Sequence, residues 1–215
     1  MGSLVSTLIT KCRIHINETS TTFHADSDLL AYCDEAQKYF IRSTRILEGS
    51  STTSAVSGTQ NYALPSDYLA LLRVTFNGIK IDRVSYHEID ELGINDTDET
   101  NTPRYYYILN EQLYLIPIPN TTDTIKIYYY KFPADLDATT DTLEISKIYD
   151  DIIVCYMVYR ALEKDSEDKR ADYWMTECNA KIMQVVSDLR ESKLDRPVMF
   201  IPKRNHRTRT PMRDW

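Results

Sequence analysis

The sequence predicts an α+β fold: a helical bundle made of two N-terminal and two C-terminal helices, an inserted antiparallel β-domain, and an extended C-terminal arm. Three observations carry this. Apolar residues recur with a helical period up to Leu47 and again from Ile148, they alternate between Tyr62 and Pro133, and Pro197 and Pro202 forbid further helix near the end. The expected organisation is residues 1–58 for the N-terminal helices and a linker, 59–145 for the β-domain, 146–194 for the helical hairpin that completes the bundle, and 195–215 for the arm.

In chain order, Val5, Leu8, Cys12 and Ile16 share one face of a first helix. A longer helix opens at Asp26, Ser27 and Asp28, which serve as cap residues, and carries Leu29, Cys33, Ala36, Phe40 and Leu47 on one stripe. It ends near Gly49, and the small polar residues up to Gly58 show no period, which predicts a linker. Leu72, Val74 and Phe76 then share one face of a strand, Asn77-Gly78 is a two-residue hairpin signal, and Ile79 and Ile81 begin the return strand.

Residues 85 to 92 predict a short helix, followed by an acidic loop that Pro103 closes. Strands follow at Arg104 to Leu109, Leu113 to Ile116 and Thr124 to Lys131, giving an antiparallel sheet of about five strands. In the last strand Ile125, Ile127 and Tyr129 face one way and Lys126, Tyr128 and Tyr130 the other. Two helices close the bundle. Ile148, Ile152, Cys155, Tyr159 and Leu162 stripe the first, with Tyr149, Ile153 and Tyr156 widening its apolar surface; Ala171, Trp174, Cys178, Ile182, Val185 and Leu189 stripe the second.

A chain of 215 residues can bury roughly 70% of its unfolded surface, so it needs no disulfide or metal to fold. Its longest apolar runs fall far short of the ~20 residues of a membrane span, and the N-terminus lacks the basic flank and apolar core of a secretion signal. Cys12, Cys33, Cys155 and Cys178 are widely spaced with no CxxC pair, each on the apolar side of a predicted helix, so buried thiols are expected rather than disulfides or zinc ligands. The net charge of −7 is uneven: residues 196–215 carry +5, leaving −12 for the rest. An acidic body with a basic tail is attracted to something acidic, another copy of the chain included.

Catalytic, cofactor and metal motifs are missing from the sequence. His15, His24, His87 and His206 lie in different elements at no metal-ligand spacing, and five glycines form neither GxGxxG nor a P-loop. Asp96, Asp98 and Glu99 suggest a calcium loop only faintly, because an EF-hand's glycine is absent and Tyr107 stands where its last glutamate belongs. Asp150 and Asp151 suit a helix start rather than an acid/base pair. A hydrolase built on carboxylates and exposed aromatics is a distant third function.

Two features point to binding, each with open alternatives. Tyr105, Tyr106, Tyr107, Tyr128, Tyr129 and Tyr130 are either a subunit or tail interface, since tyrosine gives large contact area at low entropic cost, or the filling of a sheet core with hydroxyls at its rim. In the arm, Lys203, Arg204, Arg207 and Arg209 interleave with Val198, Phe200, Ile201 and Trp215, a composition that fits docking in a protein groove better than phosphate binding alone or a solvated tail. A nucleic-acid-binding module, in which the arm grips phosphates and the tyrosines stack bases, is the alternative function.

The order of elements, with FHADSDLLAYCDEAQKYF, YALPSDYLALLRVTFNG, TPRYYYILNEQLYLIPIP, IKIYYYKFPADL and IYDDIIVCYMVYRALEKDSEDKRADYW, resembles the head-to-tail adaptor (connector) proteins of tailed bacteriophages, most of all the tail tubular protein A type of short-tailed phages. The similarity covers about residues 1 to 190. It implies a structural virion protein of the neck, assembled in the host cytoplasm, without enzymatic activity or cofactor. It further implies a ring, dodecameric in that family, between the portal protein above and the tail nozzle or tube protein below, with DNA passing through the channel unbound and no membrane involved. The C-terminal segment in such proteins reaches to the portal, which would make Val198, Phe200, Ile201, Lys203, Arg204, Arg207, Arg209 and Trp215 the portal-docking arm.

Overall fold

The computed structural model describes residues 2–18, 23–85, 88–89 and 100–194. Within them the fold is α+β, with four helices and a large curled sheet of mixed direction. The arm from 195 onward, the acidic loop with Asp96, Asp98 and Glu99, His87, His206 and most of the expected helix at 85–92 lie outside the described residues.

Helix α1 (Val5–Ile16) buries Val5, Leu8, Ile9 and Cys12 and stops at Asn17, whose left-handed backbone turns the chain. Helix α2 (Asp26–Thr44) buries Leu29, Cys33, Ala36, Phe40 and Ile41. It has no side-chain cap: Ala25 is the N-cap, and Asp26 and Asp28 instead place negative charge in the first turn, where the helix dipole favours it. The helix ends at Arg45, in the left-handed region, rather than near Gly49, so Leu47 packs on the bundle core from outside the helix.

The expected linker from Gly49 to Gly58 is a correction. Residues Glu48–Ser54 form strand β1, paired along its whole length with β9 (Thr124–Lys131). The strand shows no hydrophobic alternation because it is the sheet's edge and mostly exposed; the pairing comes from its partner.

The main sheet has seven strands in the order β1, β9, β3, β4, β6, β7, β2, where β2 is Asn61–Ala63, β3 Tyr68–Phe76, β4 Ile79–Arg83, β6 Tyr105–Leu109 and β7 Gln112–Ile116. It is not wholly antiparallel, because β4 and β6 run parallel through Asp82↔Tyr105 and Arg83↔Tyr106. Strands β5 (Thr100–Asn101) and β8 (Ile118–Pro119) make a separate parallel pair. Asn77 and Gly78 both take positive φ in the β3–β4 hairpin, and Asn110 and Glu111 do the same between β6 and β7. A register shift between Leu71 and Arg73 rotates the strand, so Leu71 joins the core while Leu72 is 40% exposed.

One face of the curled sheet closes on itself around Val74, Phe76, Ile81, Tyr106, Leu113, Leu115, Ile125, Ile127 and Tyr129. A second core lies in the bundle, where α3 (Asp150–Lys164) packs against α1, α2 and α4 (Asp168–Leu194) and is buried around much of its circumference. Ile148 does not belong to its stripe. It sits in a short 3₁₀ turn, Lys147–Tyr149, and is 79% exposed.

The sheet and bundle are joined through the segment leaving β9. The amide of Gln37, wholly buried on α2, donates to the Ala134 carbonyl (3.3 Å) and accepts from the Glu144 N–H (3.1 Å). Asp34, one turn earlier, accepts from the Leu136 N–H (3.1 Å), and Lys38 bridges Asp34 and Asp135. Glu144 in turn holds Lys131 at the end of β9 (2.5 Å) and the Ala134 N–H (2.8 Å). Beyond these contacts Leu143 and Ile145 enter the bundle core, and Leu143 donates its N–H to Ser3 (3.0 Å).

Replacing Gln37 by Leu keeps the volume and removes both hydrogen bonds at the joint, each contributing roughly 0.5–1.5 kcal/mol. The expected outcome is a clear fall in thermal midpoint, at ~2–4 °C per kcal/mol for a chain of this size. The check is a pair of thermal melts, wild type against Gln37→Leu, with Gln184→Leu on the exposed side of α4 as a substitution expected to leave the midpoint in place.

Candidate interaction surfaces

The six strand tyrosines divide by depth. Tyr106 and Tyr129 are each 5% exposed and belong to the sheet core; Tyr107, equally buried, packs with Val84, Ile89 and Ile116 and stacks on Tyr114 at 4.8 Å. The Tyr129 hydroxyl donates to Asp67 at 2.8 Å, which satisfies the polar end that burial leaves needing a partner. Tyr105, Tyr128 and Tyr130 are half-buried. Three of the six are therefore committed to the protein's own interior, and three remain with surface to offer.

Tyr128 and Tyr130 lie on the outer face of β9, as the alternation predicts, beside the free edge of the sheet. The Lys126 ammonium stands 4.9 Å from the Tyr128 ring centre and the Arg73 guanidinium 6.0 Å, so this outer face is an aromatic between two cations. Across β1 the same rows continue into Ser50 and Thr52, which pair with Tyr128 and Lys126.

A groove runs between α1 and α4 over the floor of α3. It holds about 640 Å³ bounded by Lys11, His15, Asp150, Cys155, Trp174 and Lys181, and continues past Ile148 into about 440 Å³ bounded by Ile152, Val185 and Leu189. His15 closes one end against Trp174, edge to face at 5.1 Å. The carboxylates here are engaged as ion pairs, Asp150 with Lys11 (2.8 Å) and Asp151 with Lys181 (3.0 Å).

The loop before α2 carries a polar cluster that the sequence did not reveal. His24 is 1% exposed and turns Nε2 toward Asp165 (3.2 Å), while its own carbonyl accepts from Arg13 (2.8 Å). Glu18 accepts from the Phe23 N–H (2.9 Å), a bond that holds its carboxyl below the usual range. Lys164 reaches both the Phe23 carbonyl (3.0 Å) and Asp28 (2.9 Å). Side chains from three helices and their ends thus converge on a backbone corner, and the cluster acts as a clamp.

The cysteines are buried thiols, all four free. Burial pushes Cys12, Cys33 and Cys178 up to about 12, far from the thiolate that chemistry would use. Among the described residues, no group of His, Cys, Asp and Glu could hold a metal ion, and no helix is long and apolar enough to cross a membrane.

Comparison with known proteins adds one match. A family model described as SU10 adaptor protein matches residues 3–199, which takes in the helices and strands of the described residues. No curated protein matches the chain.

Tyr129 is pushed up to about 12, by burial first and then by its bond to Asp67, from an ordinary 10.0; the three thiols start from 9.0. In each case the folded protein holds the proton more tightly than the unfolded chain. Stability from these groups is therefore fully present below pH 9 and is lost as pH rises from about 9 to 12. Denaturant midpoints across that range test this, with an alkaline decline expected to start earlier than Tyr129 alone would give. At neutral pH a thiol reagent should label the native protein slowly and the unfolded chain at all four cysteines.

Proposed function

The chain belongs to the SU10 adaptor protein family, and we propose that it acts as one subunit of a ring that joins the portal to the tail and lines the channel for DNA packaging and ejection. Its membership makes it a phage adaptor of the head-to-tail kind, with a structural role in the virion and a place at the neck. The observation that carries the reading is the extent of the match, residues 3–199 of 215.

The remaining steps are physical. A ring subunit needs two different faces, since heterologous contacts close only at the correct rotation. The half-buried Tyr105, Tyr128 and Tyr130 suit such faces, while Tyr106, Tyr107 and Tyr129 hold the strands that present them. The arm supplies the portal contact: Val198, Phe200, Ile201 and Trp215 as apolar anchors, and Lys203, Arg204, Arg207 and Arg209 as cations drawn to an acidic surface. Tail nozzle or tube protein meets the opposite side. The −12 of residues 1–195 repels DNA phosphates and keeps the passing genome from sticking, and twelve copies would complete the ring.

Co-sedimentation with the portal ring of the same phage tests this, full length beside a chain ending at Asp195. Full-length protein binding in ring stoichiometry, with little or no binding by the shortened chain, is the expected result. If neither binds, the portal is not the partner. A steep loss of DNA affinity with salt, mapped to Lys203 through Arg209, would replace the adaptor contact with phosphate binding.

A further inference from the structure

Strand β1 uses only one of its two edges. The pairs Leu47–Lys131 and Ala55–Asp123 are hydrogen-bonded at either end of the β1–β9 ladder, with the Lys131 N–H donating to Leu47 (2.8 Å) and the Ala55 N–H to Asp123 (2.7 Å). Antiparallel pairing alternates residue by residue. Gly49, Ser51 and Thr53 therefore direct their N–H and C=O groups at β9, and Glu48, Ser50, Thr52 and Ser54 direct theirs away. No described residue pairs with those outward groups. The other end of the sheet is guarded by brevity, since β2 is three residues long. β1 has seven residues, no proline, no lysine and a single charge, Glu48, so it lacks the devices that ordinarily blunt an exposed edge.

The chemistry beside this edge says what fits it. Free backbone donors and acceptors in a row take an extended strand. The flanking outer face carries Lys126 and Arg73 around Tyr128, on a chain whose residues 1–195 carry −12. An acidic protein approaching with a strand is complementary to that strip, and a second copy of this chain has that charge.

We propose that the outward edge of β1, at Glu48, Ser50, Thr52 and Ser54, receives an extended strand from a second copy, so that the sheet continues from one subunit to the next. The proposal rests on the ring reading and specifies where its copies meet. A heterologous contact, in which the edge meets a different strand of the neighbour, is the form a closed ring requires.

The test is a Ser50→Pro, Thr52→Pro double variant. Proline at these two positions removes only outward N–H groups and fills the space a partner strand would occupy, while the β9 ladder keeps the amides of Gly49, Ser51 and Thr53. Assembly is read by native mass spectrometry on the chain alone and on portal rings. Amide exchange over residues 48–54 and copy-to-copy cross-linking from a photoreactive group at Thr52 are read on the otherwise unaltered chain. The expected result is multimers for the wild type, at least tenfold weaker assembly for a double variant with an unchanged melting curve, and outward amides that slow only on assembly. Assembly of the folded double variant at wild-type strength overturns the proposal and leaves the ring standing. Outward amides that stay fast in assembled wild type do the same without needing any proline variant to fold. Protection that appears with cross-links to the portal rather than between copies assigns the edge to the portal and also overturns it. A wild-type chain monomeric both alone and on the portal overturns the ring itself.

Discussion

The wholly buried amide of Gln37 is the joint on which the two halves of the molecule turn. A chain leaving a sheet for a helical bundle carries backbone N–H and C=O groups with no ladder to enter, and burying them unpaired is costly. Gln37 supplies both a donor and an acceptor at one point, to Ala134 and Glu144, and the neighbouring turns of α2 add Asp34 and Lys38. With that segment fixed, Lys131 is tied through Glu144 and β9 ends in a defined place. Because β9 pairs with β1 on one side and β3 on the other, the order of half the sheet follows from where it ends.

The sheet shows how tyrosine can serve interior and surface in the same strand. The pleat sends Tyr129 inward, where Asp67 receives its hydroxyl, and sends Tyr128 outward beside Lys126 and Arg73, with Tyr130 on the same outer face. Rigid interior aromatics keep the outer ones in place without the entropy cost of ordering long flexible side chains. A protein that must meet several partners at fixed angles gains from this, since the contact surface is set before binding.

The bundle achieves stability without chemistry. Its thiols are deep in the core and hold their protons, Asp150 and Asp151 are engaged by Lys11 and Lys181, and the buried His24 faces Asp165 within a clamp. Such a module suits a family whose role in the virion is structural.

Periodicity alone determined the helices and most strands, because burying one face imposes a repeat of 3.6 or 2 on apolar residues: Val5, Leu8 and Cys12 in α1, Ile125 and Ile127 in β9, and Asn77-Gly78 at the hairpin were all legible. The family too was legible, in the order of those elements. What needed the tertiary structure is whatever a partner supplies. β1 has no pattern of its own and becomes a strand only because β9 offers a ladder; Leu71 replaces Leu72 in the core because of a bulge; the parallel β4–β6 pair leaves no periodic trace. Tyr106, Tyr107 and Tyr129 could be told from Tyr105, Tyr128 and Tyr130 only once the sheet curled, and Gln37 could be told from a surface glutamine only once residues 134 and 144 arrived beside it. Local pattern encodes which side of an element is buried, whereas pairing between distant segments depends on hydrogen bonds that any backbone can make, and so leaves little mark on side-chain identity.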